Sequence, residues 1–188
     1  PTAFSLRNSE PIDTTSLRGK IFLLNTDVSN PEQLTLNSNT EPYKNLIAYG
    51  LRNPWKAYEY KNFLFAPDIG LITEEELNIL NLDEISNTQK PFLLGWPHYE
   101  GTVDNNIQYN EINLYENGIA KNINNFVKEN SIFPKVFYTH QAPENFRAAL
   151  IGGGVIQNKE SKYFKNYLFA DYLSNQLFSY VFIKDELY

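Results

Sequence analysis

Asn62-Phe63-Leu64-Phe65-Ala66-Pro67-Asp68 and Asn166-Tyr167-Leu168-Phe169-Ala170-Asp171 are two spellings of one short strand, each an Asn, an aromatic residue, Leu-Phe-Ala and then a nearby Asp. The same composition recurs along the chain. Lys20 to Asn25, Asn45 to Tyr49, Lys56 to Tyr60, Leu77 to Leu80, Lys135 to His140, Leu150 to Gln157 and Gln176 to Phe182 are short apolar or alternating runs, the pattern of strands rather than helices. Turn-rich segments separate them: Pro67-Asp68-Ile69-Gly70 ends one strand, and the polar stretch from Thr26 to Tyr43 has no period. Short strands at regular spacing with internal self-similarity predict an all-β chain, a β-propeller in preference to a sandwich or barrel. At roughly 40 to 50 residues per four-stranded blade, the chain holds about three or four blades, an incomplete ring.

Composition agrees. Of 188 residues 15% are aromatic, with 13 Tyr and 13 Phe, side chains that pack well across strands. A net charge of −6 argues against a nucleic-acid or anionic-membrane surface, which requires a basic patch. No apolar run approaches the length of a membrane span. The absence of Cys excludes disulfides, thiolate metal sites and cysteine catalysis. The chain starts at Pro1 and contains no Met, so it is expected to be a piece of a longer protein. Lys184-Asp185-Glu186-Leu187 is no retention signal, because Tyr188 follows it.

The densest chemistry lies in Gly50-Leu51-Arg52-Asn53-Pro54-Trp55, between two of the strands. Gly50 can take a positive φ, Pro54 fixes its own φ and biases Asn53 towards extended backbone, and Trp55 is expected to anchor the link in the core. A guanidinium held in such a link suits a carboxylate, because its fork of donors meets both oxygens at once. The alternative is that Arg52 satisfies carbonyls at a turn. Glu74-Glu75-Glu76 is expected to be a solvated face, with Glu75 turned opposite to its neighbours. Gly152-Gly153-Gly154 lacks the Lys-Ser/Thr of a phosphate loop and is expected to permit close strand packing. Arg147, just before it, can reach the same ligand mouth as Arg52. His98 and His140 have neither a second His nor a Cys close in sequence, so a histidine metal site is not expected. Residues 102–133 are Asn-rich and expected to be an irregular insertion, although Ile119, Ile123, Phe126 and Val127 fall at helical spacing.

In order, Leu17-Arg18-Gly19-Lys20-Ile21, Gly50 to Trp55, Asp68-Ile69-Gly70 with Glu75-Glu76-Leu77-Asn78, and Gly95-Trp96-Pro97 with Glu100-Gly101 resemble the soluble glucose/sorbosone dehydrogenase family. These are six-bladed propellers that include quinoprotein aldose sugar dehydrogenases. Ile151 to Val155 and Tyr167 to Tyr172 extend the resemblance over nearly the whole of residues 1–188. It implies a secreted or periplasmic protein that oxidises a sugar hydroxyl or hemiacetal carbon, with pyrroloquinoline quinone and calcium at the propeller mouth. It also implies that Arg52, Asn53 and Glu75 match cofactor-contacting positions and that the carbonyls of Gly70 and Leu71 offer calcium ligands, as a hard cation prefers. The family's general-base His belongs to an earlier blade, so this chain alone is expected to be inactive. Ile12 and Leu71 stand where relatives commonly carry Gln, and Leu173 where some carry a basic residue. The rival readings are a non-catalytic propeller that binds carbohydrate or protein at the same mouth, and a purely structural repeat domain.

Overall fold

The computed structural model describes residues 12, 17–23, 45–88, 90–106, 113–116, 119–140 and 148–181. In chain order the first strands are β1 (Lys20–Phe22), β2 (Leu46–Tyr49), β3 (Tyr58–Tyr60), β4 (Phe63–Asp68) and β5 (Glu74–Asn81), followed by helix α1 (Leu82–Thr88). Strands β6 (Phe92–Leu93), β7 (Tyr99–Glu100), β8 (Val103–Asp104), β9 (Asn113–Glu116) and β10 (Ile119–Asn122) precede helix α2 (Ile123–Asn130). The rest are β11 (Val136–Thr139), β12 (Leu150–Val155), β13 (Tyr167–Asp171) and β14 (Gln176–Tyr180). Among the described residues the chain is all-β with two short helices, as the strand spacing predicts. It forms two compact units, Pro1–Arg52 with Asp83–Phe133, and Asn53–Leu82 with Pro134–Tyr188.

In the first unit β1 pairs antiparallel with β2, Lys20 opposite Tyr49, and β2 pairs parallel with β6, Ala48 opposite Phe92. The hairpins β7-β8 and β9-β10 complete its strands. Its core gathers Ile12, Leu46, Tyr49, Leu93, Ile123 and Val127, with Phe126 packed against them. Ile123, Phe126 and Val127 lie on one face of α2 at the spacing of an amphipathic helix. Residues 102–133, expected to be irregular, therefore contain ordered strands and this helix, whose apolar face gives the unit part of its core. Ile119, the fourth residue at that spacing, belongs to β10 instead.

The second unit has an antiparallel four-stranded sheet, β11-β5-β4-β3, and a three-stranded one, β12-β13-β14. The former has the size of a propeller blade. Phe65, Leu77, Leu150, Val155, Tyr167 and Phe169 form the core. Phe65 stacks on Tyr167 at 4.3 Å, and Phe169 on Phe178 at 5.2 Å, so the aromatic letters of the two echoed strands meet in one cluster. Such pairs add about 0.5–1.5 kcal/mol each beyond their burial. The triple glycine admits close packing, as expected. A methyl on Gly152 would run into the Lys56 carbonyl oxygen, and one on Gly153 into that of Leu168. The Gly153 N–H also donates to Tyr167 Oη at 3.0 Å.

Several local expectations are corrected. β4 runs through Pro67 to Asp68, because β3 stops opposite Phe65 and proline's missing donor there costs no bond to that strand. β5 begins at Glu74, and Glu74, Glu75 and Glu76 are all buried. They are flanked by β11 on one side, and β4 pairs with the strand from Glu76 onward, so they are not a solvated face. Trp55 is 54% exposed and does not anchor the link in the core. Residues 82–88, outside the apolar runs of the sequence, form α1, whose first turn carries Asp83 and Glu84 as a helix dipole favours.

These contacts predict opposite outcomes for adjacent glycines. Gly153→Ala should lower the free energy of unfolding by about 3 kcal/mol, the upper range for forced overpacking. Gly154→Ala meets only the Tyr58 ring at 3.4 Å and should change it little. Urea unfolding of the two variants beside the parent checks this.

Candidate functional site

The sheet of the first unit continues past its last strand pairs as two hydrogen bonds, Leu94 N–H to Tyr49 O at 2.9 Å and Trp96 N–H to Gly50 O at 2.8 Å. Gly50 has φ +76, and a Cβ there would lie 2.9 Å from the Gly95 nitrogen. Only glycine meets both conditions without strain. Leu51 is fully buried and its N–H donates to Gly19 O. Arg52 follows, and its guanidinium carbon stands 5.7 Å from the centre of the Trp96 ring. That is within cation–π range, and the indole face favours the charged fork.

The turn presenting Trp96 is itself fastened. The Trp96-Pro97 bond is cis. Asn105 donates through Nδ2 to Pro97 O at 3.0 Å and through its backbone N–H to His98 O at 2.8 Å. His98 is buried, with Nε2 2.9 Å from Asn124 Oδ1 on α2. Burial pushes its proton affinity down. The bond to Asn124 and the nearby Asp104 offset this only in part, and Lys128 adds to the lowering.

In the second unit the other half of the hexapeptide runs along the end of β4. Trp55 N–H donates to Pro67 O, Ile69 N–H donates to Asn53 O, and Asn53 N–H donates to Asp68 Oδ1 at 2.6 Å. Gly70 is buried in the following turn, and Leu71 is exposed. Glu75 is fully buried, with Oε1 2.8 Å from His140 Nε2 and Oε2 accepting the Leu150 N–H at 2.9 Å. His140 N–H in turn donates to Thr73 O. Nearby, Asp171 accepts Tyr138 Oη–H at 2.6 Å and the N–H groups of Ala149, Leu173 and Ser174. Burial would raise the Asp171 pKa, but the bonds from Tyr138, Ser174 and Ala149 outweigh it and leave the carboxyl below its ordinary value.

Asn53, Gly70, Leu71 and Glu75 thus fall in one unit, and Arg52 ends the other. Arg147 lies outside the described residues. Sequence reasoning passed over Asp68 as the anchor of the link and His140 as the partner of Glu75. No local signal marks the latter pair, 65 residues apart. Trp96 was legible only as part of Gly95-Trp96-Pro97.

The donor set is short for either implied group. No three His, Cys, Asp or Glu among the described residues could hold a metal ion, and two carbonyls fall short of the six to eight oxygens calcium takes. Pyrroloquinoline quinone, a polyanion, would find one guanidinium and one amide. Leu71 and Leu173 offer it exposed apolar side chains, and Ile12 lies in the core of the first unit. The described residues complete neither group.

No family model and no curated protein sequence matches the chain. Among solved structures it is similar to the PQQ-bound form of an aldose sugar dehydrogenase from Streptomyces coelicolor, at 16% identity and a TM-score of 0.43, over 92% of this chain and 42% of that one. The chain spans less than half the length of that protein, and the relationship is a distant structural one.

Two outcomes are expected. Glu75→Leu leaves the buried Leu150 N–H and the His140 ring without the carboxylate that both meet. Stability should fall by about 1–3 kcal/mol, measurable by denaturant unfolding. For His98 the unfolded ring binds its proton near pH 6.5 and the folded ring only at lower pH. As pH falls from about 6.5 the unfolded chain therefore takes up the proton first. Stability is full above that value and declines until the folded ring also protonates. Melting curves from neutral to mildly acidic pH should show this fall, and His98→Gln should reduce its slope.

Proposed function

We propose that this chain is part of a sugar-dehydrogenase-like propeller protein, secreted or periplasmic, in which Arg52 and Trp96 receive an acidic or hydroxyl-rich ligand at the propeller mouth. The observation that carries this is the guanidinium held over the indole face on a hydrogen-bonded turn. An indole face suits the C–H face of a sugar ring, and a guanidinium suits a carboxylate. If the whole protein binds the quinone, Arg52 and Asn53 hold one of its carboxylates. The Gly70 and Leu71 carbonyls then contribute two of the oxygens around calcium, the remainder coming from outside the described residues. The quinone would supply the hydride acceptor. A base within hydrogen-bond reach of the sugar hydroxyl is also needed, and the family resemblance puts it on a blade outside this chain. This chain by itself should therefore give no dye reduction with the quinone, calcium and glucose above a protein-free control.

The second reading, a mouth that binds carbohydrate or protein without oxidising it, draws on exposed Leu71 and Leu173 and on Glu75, both of whose oxygens are engaged inside its own unit.

Arg52→Lys in the whole protein tests the site. It keeps the charge and loses the paired donors, so affinity for pyrroloquinoline quinone with calcium, or for glucuronate, should fall by about 1.5–3 kcal/mol, roughly ten- to a hundredfold. Titration calorimetry reads this beside a melting curve. Unchanged affinity with a lower melting temperature makes Arg52 a turn residue.

A further inference from the structure

Although the chain is net acidic, the exposed charge among the described residues of its second unit is basic. Among the described residues of that unit, Asp68, Glu74, Glu75, Glu76 and Asp171 are buried. Exposed charge is left to Lys56, Lys61, Lys135, Lys159, Lys162 and Lys165 against Glu59 and Glu160. Sequence charge counting misses this, because it gives equal weight to carboxylates that the fold removes from the surface.

Four of these lysines gather at one end. β12 runs beside β3, with Gly152 against Lys56 and Gly154 against Tyr58. β12 ends at Val155, one residue past Gly154, and β3 ends at Tyr60, two past Tyr58 and just before the β3-β4 turn at Lys61-Asn62. Residues 157–166 form a turn closed by Lys165 N–H to Ile156 O and Ile156 N–H to Asn166 O, at 2.8 and 3.0 Å. Within it Phe164 N–H donates to Ser161 O and Asn166 N–H to Tyr163 O, so its backbone is held. Aromatic rings interleave with the ammonium groups: Lys162 Nζ lies 4.8 Å from the Tyr163 ring centre, Lys165 Nζ 5.6 Å from that of Phe164, and Lys61 Nζ 5.8 Å from that of Tyr60. Among the described residues none of Lys159, Lys162 and Lys165 is in an ion pair.

We infer that this lysine-aromatic end is a binding surface for an acidic polysaccharide. A duplex nucleic acid presents about one charge per 1.7 Å, and on a chain of net charge −6 a patch of four lysines cannot match that density. A polyuronate carries one carboxylate per sugar residue, a sparse charge that a few separated ammonium groups can meet. Its sugar faces suit the half-exposed rings beside them. The end lies wholly in the second unit.

The test measures binding of the whole chain to polygalacturonate and to dextran by affinity electrophoresis, at low and at high salt. Polygalacturonate should bind about tenfold more tightly than dextran and lose its advantage in high salt. The exposed triple substitution Lys159→Gln, Lys162→Gln, Lys165→Gln should remove most of that advantage, and Lys135→Gln, at an exposed lysine of the same unit outside the turn, should leave it intact. Equal binding of the two polymers, a preference indifferent to salt, its full retention in the triple variant, or its loss in Lys135→Gln overturns the inference. Tighter binding to phosphatidylserine vesicles or to duplex DNA than to polygalacturonate also overturns it. If the triple variant melts abnormally, the single Lys162→Gln variant and the salt dependence of the parent decide the matter.

Discussion

A carboxylate withdrawn from water is the constraint on which the second unit depends. Glu75 is fully buried, and an unpartnered charge there would be far too costly to retain. Its two oxygens therefore dictate two neighbours: the His140 ring, one residue past β11, and the Leu150 N–H at the start of β12. One side chain thus ties the four-stranded sheet to the three-stranded one. Asp171 repeats the device at the end of β13, gathering Tyr138 Oη–H and three backbone N–H groups. The apolar cluster of Phe65, Tyr167, Phe169 and Phe178 drives the two sheets together, but apolar contact is non-directional. The carboxylates set the register.

The first unit uses different means at the corresponding task. The turn that carries Trp96 is held by the bond from Trp96 N–H to Gly50 O, by Asn105 and by buried His98 against Asn124. Arg52 lies against an indole and Glu75 is closed on groups of its own unit, which is why Arg52 carries the functional reading and Glu75 the architectural one.

Burying acids also changes what the surface presents. Each carboxylate that closes a backbone N–H inside the second unit leaves one fewer on its exterior, so structural and surface electrostatics are coupled. The lysines of the 157–166 turn acquire their prominence from side chains that are not near them.

By itself the sequence determined the all-β class, most strands to within a few residues, the link at Gly50 to Trp55 and the close approach at Gly152 and Gly153. Each of these follows from local properties: period-two alternation, the conformational freedom of glycine, the stiffness of proline and the pleated-sheet preference of aromatics. Only the tertiary structure decided which way Trp55 faces, that Glu74, Glu75 and Glu76 are interior, and that His140 meets Glu75. It also decided that Arg52 lies over Trp96 and that, among the described residues of the second unit, exposed lysines outnumber exposed acids. Burial and long-range pairing depend on what the neighbouring strands bring, and strands far apart in sequence leave no mark in one another's residues.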